Sequence, residues 1–146
     1  TAPALQHGWN SKNKTLTNVM NKKECEGVTD IISSNNIDNV NSLVQKTKVE
    51  NLFILPVGIK KIGEEAFLTE NMLNAIDKLK QKFDIILIDT SSINEGVLPI
   101  CLTSIAEATV LIAESGKVKQ EDILKAKMEI ENVGGKISGI VLNKNI

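Results

Sequence analysis

From Asn51 onward, short apolar runs rich in β-branched residues alternate with longer stretches of helical period, and this alternation limits the chain to a few folds. Such a rhythm is the mark of βαβ units, in which a helical crossover returns the chain to a neighbouring parallel strand. The first run is Leu52–Leu55, stopped by Pro56 and Gly58. Met72, Leu73, Ile76, Leu79 and Phe83 then recur at helical spacing, with Glu70, Asp77, Lys78, Lys80 and Gln81 opposite, which predicts an amphipathic helix lying on the sheet. Ile85–Ile88 is apolar throughout, as expected of a parallel strand buried on both faces, and it ends in Asp89-Thr90.

Ser91 to Glu107 reads as a loop followed by an apolar helix that Pro99 interrupts, and Ala108–Ala113 as the next strand. A helix from about Lys119 to Asn132 carries Ile123, Ala126, Ile130 and Val133 on one side. Gly134-Gly135 closes it where a left-handed residue is needed, and Ile137–Leu142 is the last strand. Before Asn51 the text is polar and rich in Asn, Ser and Lys, which predicts loops and short helices, one of them at Val28–Ser33.

The fold class expected is therefore α/β, a small and mostly parallel sheet with helices on both faces in a Rossmann-like three-layer arrangement. With 146 residues, 42% of them hydrophobic, one domain is the expectation: an irregular segment over 1–26 and an α/β core over 27–146.

Charge excludes some functions. Seventeen basic against eighteen acidic residues leave a net charge of -1, without the basic footprint of a nucleic-acid binder. No apolar run reaches the ~20 residues of a membrane span, and no signal-peptide pattern opens the sequence. The chain as given reads as cytoplasmic, with membrane association only through a partner or a fused segment. Cys25 and Cys101 lie far apart, and His7 is the lone histidine, so neither a structural metal nor a nucleophile-histidine pair has a sequence basis. Glu64-Glu65 and Glu121-Asp122 stand at helix starts, where the helix dipole and capping account for them.

Phe83-Asp84-Ile85-Ile86-Leu87-Ile88-Asp89-Thr90 has the form of a Walker B strand, whose terminal carboxylate reaches Mg²⁺ directly or through water. On its own the pattern equally fits an aspartate that caps a loop. Its surroundings narrow the choice. Gly27-Val28-Thr29-Asp30-Ile31-Ile32, then Asn51-Leu52-Phe53-Ile54-Leu55-Pro56-Val57-Gly58, then the helix to Phe83 and the Walker B segment follow one another. Ala113-Glu114-Ser115-Gly116-Lys117 and Gly139-Ile140-Val141-Leu142-Asn143 come after them. In that order they resemble the bacterial tyrosine kinase and exopolysaccharide ATPase family, a MinD/ParA-like branch of the P-loop ATPases. The resemblance covers roughly Gly27 to Asn143.

By that resemblance Asp89 is the Mg²⁺-associated carboxylate, Thr90 its neighbour on the phosphate side and Asn143 a residue that reads a nucleotide base. From the residues alone, Thr90 bonding its own backbone and Asn143 merely ending a strand serve as well.

The departures from the family concern the phosphate site. A Walker A loop, G-x-x-x-x-G-K-[ST], wraps the β-phosphate with successive backbone N–H groups while its lysine meets the γ-phosphate. Gly8-Trp9-Asn10-Ser11-Lys12-Asn13-Lys14-Thr15 keeps the first glycine, Lys14 and Thr15, but has Asn13 at the second glycine and no apolar strand in front. In a competing register Pro3-Ala4-Leu5-Gln6-His7 resembles the family's "R-P-x-L-H", and the chain then begins downstream of the loop. The paired prolines after Walker B are Ser91-Ser92, and the threonine of the "G-K-T" turn is Val118. There is no tyrosine anywhere, so this chain cannot phosphorylate itself on tyrosine.

The expectation is thus a fold with a truncated or degenerate N-terminal part. It would be a kinase-like module that scaffolds or regulates surface polysaccharide synthesis or export, with no cofactor for the isolated chain. Its partner would be a protein, either a membrane polysaccharide co-polymerase or another copy of the chain. The alternative is a fragment of an active Mg-ATP-dependent kinase or ATPase whose P-loop lies outside this chain. A further expectation concerns sheet closure: buried strand edges are costly to leave unpaired, so the gap beside Ile85–Ile88 should be filled. Direct pairing with Ala108–Ala113 would do so, as would a strand from the first 26 residues or from another copy.

Overall fold

A computed structural model describes residues 4–8, 25–34 and 36–144; over 4–8 only the backbone is considered. The chain divides into two compact units, Thr1–Ser91 and Ser92–Ile146.

The first unit holds β1 (Ala4–Gly8), α1 (Val28–Ser34), α2 (Val40–Leu43), β2 (Gln45–Lys46), β3 (Leu52–Leu55), α3 (Glu70–Lys80) and β4 (Ile85–Asp89). Short 3-10 turns lie at Ile37–Asn39 and Glu64–Leu68. Its sheet has the order β2-β3-β1-β4. β1 is parallel to both neighbours, and β2 is an antiparallel edge strand on β3. A strand at Ala4–Gly8 corrects the expectation of an irregular segment over 1–26. The gap is filled from the N-terminal residues, but between β3 and β4 rather than between β4 and the following strand. Nothing in Ala-Leu-Gln-His-Gly announces a strand; backbone bonding to partners on either side makes it one.

α3 forms as its spacing predicts and buries Met72, Ala75, Ile76 and Leu79, the i, i+3, i+4, i+7 stripe. Ala75 takes the place expected of Leu73, which stays exposed. Phe83 packs edge-on against Phe53, ring centroids 5.4 Å apart. Lys78 of α3 pairs with Asp38, whose carboxyl it holds below the usual range through a hydrogen bond and charge attraction.

β4 corrects a second expectation. Its burial alternates, with Ile86 and Ile88 half-buried but Ile85 and Leu87 54% and 50% exposed. Among the described residues, one side of this strand is not covered.

The second unit holds α4 (Leu98–Ile105), β5 (Thr109–Glu114), α5 (Gln120–Asn132) and β6 (Ile137–Asn143), with a 3-10 turn at Ile93–Glu95. β5 and β6 form a parallel pair. Pro99 does not interrupt α4 but sits in its first turn, where the missing N–H has no intrahelical acceptor to lose. At the start of α5 the Lys119 N–H donates to Asp122 Oδ2 at 3.1 Å, the capping expected of the Glu121-Asp122 pair. At its end Gly134 is left-handed (φ 82°), with Gly134 N–H donating to Glu131 O and Gly135 N–H to Ile130 O, a Schellman closure. Gly135 is required for a second reason. A Cβ there would lie 2.4 Å from Thr103 Oγ1 and 2.7 Å from Ile130 Cγ2, so only glycine lets this turn meet α4.

The difference between the covered and open sides of the first sheet predicts unequal responses to truncation. Leu55→Ala, at a residue 1% exposed, should cost about 2–5 kcal/mol in urea unfolding. Leu87→Ala should cost less than about 1.5 kcal/mol, because roughly half of its transfer free energy is never gained. Equal losses would show that the Leu87 side of β4 is covered in solution.

Candidate functional site at the carboxyl edge of the sheet

Two features build the edge, a clamp that fixes where β3 ends and the paired ends of β1 and β4. The clamp starts from Gly27-Val28-Thr29-Asp30. Val28 N–H donates to Pro56 O at 3.1 Å and Thr29 N–H to Val57 O at 2.8 Å, so the first turn of α1 is bonded to the chain leaving β3. The buried Asp30 carboxylate accepts at Oδ2 from Gly27 N–H at 2.8 Å and from Ile59 N–H at 3.0 Å, tying both segments to one oxygen. Glycine is needed at both approaches: a Cβ on Gly27 would stand 2.1 Å from Pro56 O, and Gly58 adopts φ 113° against Thr29 Oγ1. Asp30 is a residue that sequence reasoning quoted only as part of a motif. The Gly-x-x-Asp spacing facing Pro-Val-Gly was its available signal.

β1 and β4 run parallel with Gly8 opposite Asp89, so the chain leaves β1 directly beside the Walker B carboxylate. This corrects the reading that no strand precedes Gly8. Lys14 and Thr15 lie outside the described residues. Asp89 itself is exposed as a side chain, although surrounding protein displaces enough water to push its carboxyl pKa upward. Among the described residues, burial is the cause of that shift. Thr90 Oγ1 donates to Ser91 O at 3.1 Å, the local backbone bond that was its alternative role.

Asn143 ends β6 in the second unit, opposite Glu114 of β5. Its carbonyl accepts from Ser115 N–H at 2.8 Å, and Lys117 Nζ lies 2.8 Å from Glu114 Oε1 across the same turn. Asp89 and Thr90 belong to the first unit and Asn143 to the second. Cys25 accepts from Gln45 Nε2 at 2.9 Å, and Cys101 is a free half-buried thiol. No group of three or more His, Cys, Asp or Glu residues suited to a metal ion occurs among the described residues. A lone exposed carboxylate of this kind is suited to a divalent cation held mainly by water and phosphate oxygens, which is how Mg²⁺ usually sits in nucleotide sites.

Removing the Asp30 carboxylate leaves the buried Gly27 N–H and the part-buried Ile59 N–H without their acceptor, so Asp30→Ala should lose about 1–3 kcal/mol of unfolding free energy. Asp30→Asn, which keeps an acceptor oxygen, should lose distinctly less. A loss below 1 kcal/mol for the alanine, on the scale of an exposed neutral bond, would mean that the clamp is not formed in solution.

Asp89 gives a pH test. Its folded pKa is raised above the unfolded value of about 3.9, so folding favours the protonated form. The resulting stability is fully present below the unfolded pKa and is lost as pH rises through the higher folded pKa. Asp89→Asn should therefore unfold at pH 7 no more easily than the parent chain. It should also lack the parent's decline in melting temperature as pH rises above the unfolded pKa. A melting temperature clearly lowered at pH 7 would show that the ionised carboxylate is a structural acceptor.

No protein-family profile matches the chain. It is 30% identical over 136 residues to the tyrosine-protein kinase CpsD of Streptococcus pneumoniae serotype 4, an alignment covering 92% of this chain and 59% of that one. With CpsD of Streptococcus agalactiae the identity is 32% over 120 residues, covering 82% of this chain and 52% of the relative. Among solved structures, the VpsO kinase domain superposes with a TM-score of 0.91 at 16% identity, covering all of this chain and 72% of that domain. At that identity the likeness shows the fold, and it is the P-loop-like α/β fold expected. The chain spans about half the length of the curated relatives it matches, and it belongs to the family of bacterial tyrosine-protein kinases.

Proposed function

We propose that this chain is a kinase-like module that keeps the family's α/β fold without a working phosphate loop. It acts as a scaffold or regulatory partner in bacterial surface polysaccharide synthesis or export. The observation that carries the reading is Asn13 at the position of the second Walker A glycine. A side chain there fills space that the backbone needs in order to wrap a phosphate, and Asp89 alone does not replace the cradle of N–H groups. In this role it works in the cytoplasm as one α/β module, meeting a membrane polysaccharide co-polymerase or another copy of itself. Among the described residues no helix is long and apolar enough to cross a membrane.

One observation favours a second reading, a nucleotide site kept in altered form. β1 ends at Gly8, opposite Asp89, and a Walker A loop needs a strand ending at that point of the sheet. Lys14 and Thr15 would then serve the phosphates, Asp89 would hold Mg²⁺ through water with Thr90 beside it, and Asn143 would meet the base.

Isothermal titration calorimetry with Mg·ATP separates the two. The scaffold reading expects no binding heat at micromolar to high-micromolar nucleotide, for the parent chain and for Asp89→Ala alike. A micromolar Kd that Asp89→Ala and Lys14→Ala each weaken at least tenfold would overturn the scaffold reading and establish the second.

A further inference from the structure

We draw no further inference here: the strongest candidate, the exposed apolar face that Val110, Ile112 and Val141 form on the β5–β6 sheet beside Gly139, is unpartnered among the described residues, and nothing in the structure shows what covers it.

Discussion

The first unit depends on one carboxylate oxygen. Asp30 Oδ2 receives two backbone N–H groups from segments that are neighbours only in the fold, Gly27 at the entrance to α1 and Ile59 beyond the end of β3. A charged acceptor shared in this way is stronger than a neutral one, and its bond to Gly27 is buried. Each neighbouring bond then has a reason to be in register. Val28 and Thr29 can donate to Pro56 and Val57 only while those carbonyls are held against the helix start. Gly27 and Gly58 supply the closeness, since neither site has room for a Cβ.

Through β3 the constraint reaches the candidate site. β3 is paired with β1 over Ala4–His7, and β1 with β4 up to Gly8 and Asp89. A fixed end to β3 therefore sets the height at which β1 ends, with Gly8 opposite the Walker B carboxylate. The site is defined less by side chains than by backbone register. That also bears on the chemistry of Asp89, a carboxylate brought to the sheet edge and partly desolvated there.

Much of this was legible in the sequence because the informative signals are local. The 3.6 period of α3, the Asp122 cap and the Gly134-Gly135 closure of α5 each depend on residues within a few positions, and each appears as read except that Ala75 rather than Leu73 is buried on α3. The failures are tertiary. Ala4–Gly8 carries Gln6 and His7 and has no strand pattern; two flanking strands decide its conformation. Pro99 reads as a breaker from its type alone, yet where the helix begins decides whether it breaks or starts one. At the candidate site, the Asp89 carboxylate was visible as a strand-ending acid. Its pairing with Gly8 was not, because register between strands more than seventy residues apart leaves no trace in spacing.

β5 and β6 show the same limit in energetic form. Each carries an unbroken apolar run, Val110–Ala113 and Ile140–Leu142, as parallel strands covered on two sides do. In parallel pairing Ile112 stands beside Val141 on one face, and these are 74% and 50% exposed. Val110 shares that face with Gly139, where even a Cβ would meet nothing within 4 Å. Apolar area contributes to stability only when water leaves it, so the second unit gains little from this face. Its burial rests on Leu98, Leu102, Ala113 and the fully enclosed Ile130. Ile130 also accepts the Gly135 N–H that closes α5, and the bare Cα of Gly135 lets Thr103 of α4 come within reach of that same turn. One short glycine turn thus joins helix termination to core packing, and a residue with any side chain at 135 would disturb both at once.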